Sequence, residues 1–194
     1  MIGAIVLAAG RSSRMGMPKM LLPWGSETII EHVIGVLVQC GLSEIVVVTG
    51  GNNALVEARL RDKSVNTVFN PNFARGEMLS SVQVGLESLP LACTGALICL
   101  GDQPQIQPKV VQDLLNLAGA GGASLVAPSY QNRRGHPWLV NRGYWPEILA
   151  LQPPLTLRDF LRAHTGQISY LTVDTASVLM DVDTPDEYAQ QRPA

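Results

Sequence analysis

The stretch L-A-A-G-R-S-S-R-M-G-M-P-K, Leu7 to Lys19, begins with the last two residues of an apolar run, Ile2 to Ala8. The run and the loop after it are the first unit of the pattern from which the fold class is predicted. The apolar run predicts a buried strand that ends at Gly10. Gly10 and Gly16 allow the backbone to approach a ligand closely. The stretch also carries three cations in an otherwise charge-poor chain: Arg11, Arg14 and Lys19. Exposed backbone N–H groups and convergent cations suit an anion such as a triphosphate.

Beyond this loop, short apolar runs alternate with amphipathic segments. Thr28 to Gln39 has helical spacing and ends at Gly41, while E-I-V-V-V-T, Glu44 to Thr49, is typical of a buried strand. Further strands are predicted at 65–69, 96–100, 124–127, 138–140, 168–173 and 178–182. Further helices are predicted at 53–60, 79–89, 108–118, 144–151 and 156–164, and a last one begins at Thr184-Pro185, with Glu187 in capping-box register.

This alternation predicts an α/β protein. Repeated strand–helix–strand units with short connections form a mostly parallel mixed sheet covered by helices on both faces, a Rossmann-like three-layer α/β/α fold. The chain of 194 residues shows no internal repeat, low-complexity tract or linker. We therefore expect one domain over 1–194.

Composition excludes several classes of protein. The charged fraction is 15% and the formal net charge is −2, which leaves no electrostatic footprint for nucleic acid or an anionic membrane. No stretch of about 18 uncharged apolar residues predicts a membrane span. The three cysteines (Cys40, Cys93 and Cys99) are too scattered for a disulfide framework or a zinc site. Because the apolar N-terminus lacks a basic leader, we expect a cytoplasmic protein.

Two further segments place carboxylates at predicted strand ends. L-G-D-Q-P, Leu100 to Pro104, carries Asp102, and D-V-D-T-P, Asp181 to Pro185, carries Asp181 and Asp183. Ligands of open α/β sheets bind at the carboxyl ends of the strands. Oxygen ligands there suit a hard cation such as Mg²⁺. The alternative roles are a turn or cap for Asp102, and support of a helix N-terminus for the other two.

Together these motifs resemble those of a known group. L-A-A-G-x-S-x-R-M-G-x-x-K, G-D-x-P and D-x-D-T-P look like the nucleotidyltransferases of the glycosyltransferase-A-like fold, and most closely like the molybdenum cofactor cytidylyltransferases. N-P-N-F-A-R-G-E-M-L-S-S-V (Asn70 to Val82) and R-G-H-P (Arg134 to Pro137) extend the resemblance over nearly the whole chain.

The resemblance implies a division of labour along the chain, with a nucleotide-binding part at about 1–105 and an acceptor-binding part at about 106–194. Arg14, Lys19 and Asp102 would be catalytic, and Asp102 and Asp183 would ligate Mg²⁺. Arg134, Gly135, His136 and Pro137 would bind the acceptor. The nucleotide would contact Leu7, Ala8, Ala9, Gly10, Arg11, Ser12, Gly76, Ser80 and Ser81.

The resemblance also implies the substrates. Ala9, where related guanylyltransferases carry Gly, favours CTP over GTP as the nucleoside triphosphate. The acceptor would be a phosphorylated small molecule of the molybdopterin type, and a molybdoenzyme would receive the product. Relatives usually carry G-D-x-G-A-R where this chain reads Q-P-P-L-T-L-R, Gln152 to Arg158. The acceptor therefore stays open, and a sugar phosphate or a methylerythritol-type phosphate is an alternative.

Other functional classes remain for comparison. A nucleotide-binding chaperone that delivers cofactor would bind nucleotide without turnover, although it would not need both candidate metal ligands and both loop cations. A dinucleotide-dependent oxidoreductase is disfavoured because the glycines of the first loop do not have G-x-G-x-x-G spacing. His136 is the one histidine placed to act as a general base or to contact the acceptor; its alternative is a turn residue. A phosphate acceptor would need no base, because it is largely dianionic at neutral pH.

Overall fold

The computed structural model describes residues 1–10, 12, 14–75, 78–119 and 123–193. The strands described are β1 (Ile2–Ala8), β2 (Pro23–Trp24), β3 (Glu27–Thr28), β4 (Ile45–Thr49), β5 (Asn66–Phe69), β6 (Gly95–Leu100), β7 (Leu125–Tyr130), β8 (Arg133–Arg134), β9 (Trp138–Asn141) and β10 (Ile168–Thr172). The α-helices described are α1 (Ile29–Gln39), α2 (Asn53–Leu60), α3 (Met78–Ser88), α4 (Pro108–Gly119), α5 (Trp145–Ala150), α6 (Leu157–Ala163) and α7 (Pro185–Gln191).

The main sheet is mixed and mostly parallel. Its strand order is β10-β7-β9-β6-β1-β4-β5, with β8 paired to β7. Strand β1 pairs in parallel with both β4 and β6, whereas β9 runs antiparallel to its neighbours β6 and β7. From β1 the chain builds outward through β4 and β5 and then returns to place β6 on the other side of β1. The strand order therefore reverses between β1 and β6, where open α/β sheets form a ligand crevice.

Helices cover both faces of this sheet. Because side chains alternate along a strand, Ala4 and Val6 of β1 face one way and Ile5 and Leu7 face the other. The first pair packs in a cluster with residues of α1, α2 and α4. The second pair packs with residues of α3, α5 and α6. The three-layer α/β/α arrangement predicted from the sequence is therefore confirmed.

The C-terminal segment differs from the prediction. The predicted strand over 178–182 is wrong, because Ala176–Leu179 forms a 3-10 helix and the next described element is α7. Val178 and Val182 are nonetheless buried, in two different clusters on either side of this bend. A short apolar run can be buried without being a strand, and periodicity cannot tell the two apart. The short hairpin of β2 and β3 was also not predicted.

None of the described helices combines the length and the apolar character that crossing a bilayer requires.

Candidate active site

The reversal of strand order brings three distant segments to one crevice. The loop after β1, the turn after β6 and the segment before α7 all line a cavity of about 520 Å³. Leu7, Ala9 and Gly10 contribute one wall, and Asp102 and Asp183 contribute another. These are the segments in which the sequence predicted nucleotide-binding residues and metal ligands.

Two glycines allow the neighbouring strands to close around the first loop. A Cβ atom on Gly50, which follows β4, would lie 2.4 Å from the carbonyl oxygen of Ala9. A Cβ atom on Gly101, which follows β6, would lie 2.9 Å from the carbonyl oxygen of Leu7. Both separations are too short for any side chain, so the crevice requires glycine at both positions. The sequence alone does not reveal these two close contacts, because they depend on strand register.

Lys19 joins the two predicted metal ligands. Its ammonium group makes ion pairs with both Asp102 and Asp183, and its Nζ lies 2.7 Å from Asp183 Oδ1. The residue is only 7% exposed. Burial disfavours its charged form, but the two carboxylates outweigh that effect and raise the pKa of Lys19. The backbone N–H of Lys19 donates to Ser12 Oγ at 3.1 Å, which anchors the loop to its own start.

Arg14 and α7 complete the charged cluster around Asp183. Arg14 Nη2 lies 2.5 Å from Asp183 Oδ2, although the arginine side chain is largely exposed. Burial disfavours the carboxylate of Asp183, yet Lys19 and Arg14 outweigh it and lower its pKa. The backbone N–H of Asp183 donates to Glu187 Oε2 at 2.9 Å. Glu187 also belongs to the capping box of α7, so the start of this helix holds the main chain of Asp183 in place.

The third carboxylate of the crevice behaves differently. Asp181 lines the same cavity, but burial and the neighbouring charges of Asp183 and Asp102 raise its pKa. The strand predicted over 178–182, which would have included Asp181, is not formed. Asp183 is instead the residue just before the N-cap of α7.

The donor set is compatible with a divalent metal. The ammonium of Lys19 shows that oxygens of Asp102 and Asp183 reach one cation-sized position. Among the described residues there is no group of three or more His, Cys, Asp or Glu side chains that could hold a metal. Mg²⁺ is commonly held by one or two carboxylates together with waters and substrate phosphates. Two converging carboxylates in an open cavity fit that type of site.

Ser80 and Ser81 both lie on α3. Ser81 lines the 520 Å³ cavity, whereas Ser80 lines a different cavity of about 330 Å³. Both hydroxyl oxygens accept hydrogen bonds from Asn70 Nδ2, at 3.0 Å for Ser80 and 2.9 Å for Ser81. Asn70 is fully buried. The sequence included it only as part of a longer motif, because nothing in its spacing reveals the contact with both serines.

The predicted acceptor segment lines a separate cavity of about 700 Å³. Arg134, His136 and Trp138 lie on one side of it, and Arg158 lies on the α6 side. Met78 lines both this cavity and the one that contains Lys19, so the two cavities adjoin at this residue. The main chain of the segment is held tightly, because the N–H of His136 donates to the carbonyl oxygen of Val178 at 2.9 Å.

Two polar atoms of this second cavity lack partners. Arg134 Nε and His136 Nδ1 are buried and make no hydrogen bond within the described part of the chain. Burial lowers the pKa of His136 to about 4, so its ring is uncharged at neutral pH. The ring also stacks on Trp138, with centroids 4.3 Å apart. An uncharged, stacked imidazole is suited to orienting a flat ligand, and its low pKa makes it a weak base.

Four of the nine predicted nucleotide residues line the first cavity. Leu7, Ala9, Gly10 and Ser81 line it, while Ala8 packs in the core on the α1 side. Gly135 packs against Val178 and is not among the described residues that line either cavity. Arg11 and Gly76, which the resemblance assigned to the nucleotide, lie outside the described residues.

The α/β/α fold, the cationic loop and the two carboxylates at the switch point agree with a nucleotidyltransferase of the glycosyltransferase-A-like fold, the class that the family match shows. Residues 4–168 match the family model described as the MobA-like NTP transferase domain, and the chain belongs to this family.

Similar proteins cover nearly the whole chain. The molybdenum cofactor cytidylyltransferase of Escherichia coli (strain K12) is 29% identical over 188 residues, which are 96% of this chain and 93% of that protein. The nicotine blue oxidoreductase of Paenarthrobacter nicotinovorans is also 29% identical, over 96% of this chain and 94% of that protein. The crystal structure of Rv0371c from Mycobacterium tuberculosis H37Rv has a TM-score of 0.85 and 28% identity, and covers 97% of this chain and 96% of that one. A manganese complex of Rv0371c has a TM-score of 0.81, with the same identity and coverage.

Proposed function

We propose that this protein transfers CMP from CTP to a molybdopterin-type phosphorylated acceptor and releases pyrophosphate, with Mg²⁺ as the metal. The single observation that carries the proposal is the convergence of Asp102 and Asp183 on one cation-sized position in the crevice of the first loop. The similarity to a molybdenum cofactor cytidylyltransferase supports CTP and the acceptor class. The manganese complex of a similar protein supports a divalent metal.

The two adjoining cavities suggest how the substrates would meet. The triphosphate would lie along the backbone of Ala9 and Gly10, near Lys19 and Arg14. The acceptor would occupy the 700 Å³ cavity, where Arg134 and Arg158 offer positive charge to its phosphate. Met78 adjoins both cavities, so the acceptor phosphate would approach the α-phosphorus beside this residue.

The reaction needs positioning and charge stabilisation more than proton transfer. An oxygen of the acceptor phosphate would form a bond to the α-phosphorus, and the bond from that phosphorus to the β-phosphate oxygen would break. The acceptor phosphate is largely dianionic at neutral pH because its second pKa is about 6. No general base is then required, which agrees with the low pKa of His136.

The charged residues would stabilise the leaving pyrophosphate. Asp102 and Asp183 would hold Mg²⁺, which when bound supplies positive charge to the phosphate oxygens. Lys19 would exchange its carboxylate partners for the triphosphate, since the ammonium and a metal cannot share one position. Arg14 is exposed enough to follow the same exchange.

The test is a pyrophosphate-release assay of CTP and GTP against molybdopterin, a sugar phosphate and methylerythritol phosphate, with and without EDTA. We expect release with CTP and molybdopterin, and loss of release on metal removal. Nicotine blue with a nicotinamide nucleotide as reductant is the added comparison, because a relative of equal identity is named for that substrate. Reduction of the dye without any pyrophosphate release would contradict the proposal, and so would tight nucleotide binding with no turnover on any acceptor.

A further inference from the structure

Asn70 is a buried amide at the carboxyl end of β5 whose position is fixed by its backbone. The residue is fully buried. Its N–H donates to the carbonyl oxygen of Thr49 at 2.9 Å, and its carbonyl oxygen accepts from the N–H of Phe73 at 3.2 Å. The side chain therefore projects from a rigid turn beside the 520 Å³ cavity.

The orientation of this amide follows from its partners. Asn70 Oδ1 accepts a hydrogen bond from the backbone N–H of Asn72 at 2.9 Å. A backbone N–H can only donate, so the atom that faces Asn72 must be the oxygen. The amide nitrogen must then face α3, where Nδ2 donates to Ser80 and Ser81.

This arrangement determines what Ser81 can offer to a ligand. A hydroxyl that already accepts from an amide keeps its own proton for another partner. Ser81 lines the cavity that contains Lys19 and Asp102, and its hydroxyl donates no hydrogen bond within the described part of the chain. The cavity therefore presents an O–H donor on its α3 side.

We infer that Asn70 is a positioning residue for base recognition, one that holds Ser81 as a hydrogen-bond donor to the nucleobase. This inference rests on the proposed nucleotidyltransferase function. The pairing edge of cytosine carries two acceptors, O2 and N3, and one amino donor, whereas that of guanine carries two N–H donors and a single acceptor. The unused O–H of Ser81 favours a base rich in acceptors, because opposite an N–H its proton would remain unpaired in a buried position.

Asn70→Asp tests this polarity with almost no change in shape. One carboxylate oxygen can still accept from Asn72, but the other must accept from Ser81, whose lone pairs then face the cavity. Binding of CTP, GTP and inorganic tripolyphosphate is measured calorimetrically with Mg²⁺ present. We expect CTP affinity to fall about tenfold more than tripolyphosphate affinity, and the ratio of CTP to GTP affinity to fall with it.

The control variants separate base recognition from stability. Ser81→Ala should lower the affinity for CTP but not the affinity for tripolyphosphate. When Asn70→Asp is added to Ser81→Ala, the affinity for CTP should fall no further relative to that for tripolyphosphate. If Asn70→Asp does not fold, Asn70→Ala is the substitute, because it removes the amide without burying a charge. It should lower the affinity for CTP about threefold and leave the affinity for tripolyphosphate unchanged. An equal loss for all three ligands would overturn the inference, as would a CTP-specific loss that persists without Ser81. Failure of the unaltered protein to bind either nucleotide would instead refute the proposed function.

Discussion

Lys19 is the residue that organises the charged end of the crevice. It is nearly buried and lies between two carboxylates that come from opposite ends of the chain. A buried cation with two partners stabilises the folded loop, but the same pairing keeps both carboxylates pointed at one position. Lys19 therefore keeps the two carboxylates converged on one position in the protein without ligand.

Replacing Lys19 or Asp102 with Ala should reduce pyrophosphate release by about 10² to 10³-fold, the usual cost of losing one preorganised charge. Both variants should keep the fold, since each leaves the apolar clusters untouched. The measurements are initial rates together with circular dichroism and thermal unfolding. Lys109→Ala and Asp113→Asn are the matched controls, because these residues form a 2.6 Å ion pair on the exposed face of α4. Unchanged turnover in both site variants would remove Lys19 and Asp102 from the mechanism.

At this scale the sequence predicted residue types better than contacts. Asp102 could be placed at the sheet edge because it follows a predicted strand, whereas Asp183 reaches the same cavity although the strand predicted before it is not formed. The hydrogen bonds from Asn70 to two serines could not be predicted, because they depend on how α3 packs against β5. The sequence shows that residue 70 is an asparagine. It does not show which way the amide points, which is set by its hydrogen bond with Asn72.

The carboxylate of Glu31 caps the start of α1 and also pairs with α2. Glu31 closes a capping box with Thr28, accepting from its N–H at 3.0 Å and from its hydroxyl at 2.8 Å. It also accepts from Arg59 Nε of α2 at 2.7 Å. Burial disfavours the charge, but these bonds and the nearby Lys63 lower the pKa of Glu31 to about 2. Two helices on the same face of the sheet are thereby joined.

This cap makes a prediction about stability and pH. The ordinary pKa of a glutamate is 4.5, so a folded value of about 2 means that Glu31 stabilises the protein fully above pH 4.5. The contribution is lost as pH falls from 4.5 toward 2. Glu31→Gln should lower the free energy of unfolding by on the order of 1–3 kcal/mol at pH 7, and the difference from the unaltered protein should shrink below pH 4.5. Urea unfolding at several pH values measures this, with exposed Glu87→Gln as the control. A difference that is independent of pH would show that the charge of Glu31 does not matter.

Element prediction succeeded where local chemistry decides the outcome. The start of α7 follows from the cap Thr184, the first-turn Pro185 and Glu187, all of which act within one turn. The strand predicted over 178–182 was wrong because its apolar residues serve two separate clusters, so their burial reflects packing and not sheet pairing.

At the scale of the whole molecule, the crevice exists because three strands of one sheet approach each other without side chains between them. The loop after β1 is enclosed by Gly50 after β4 and Gly101 after β6. Both strands pair with β1 in parallel, so their carboxyl ends reach the loop together. The alternating pattern of strands and helices predicted this edge. The tightness of the contact could not be predicted, because it depends on register across segments that lie about 40 and 90 residues from the loop.

Gly50→Ala should therefore displace the loop after β1, although Gly50 does not itself line the cavity. The new methyl carbon would lie 2.4 Å from the Ala9 carbonyl oxygen and 2.8 Å from its Cα, both backbone atoms that cannot move aside without displacing β1 or the loop. Overpacking of this kind costs about 1–3 kcal/mol of stability. Ala9 lines the proposed nucleotide cavity. Its displacement should therefore lower the affinity for CTP as well as the stability, although the substitution removes no contact with the ligand. Gly166→Ala, where a Cβ meets nothing within 4 Å, is the matched control and should leave unfolding and CTP binding unchanged. If Gly50→Ala binds CTP like the control while losing stability, the loop tolerates displacement, and the close approach of the strands matters for folding alone.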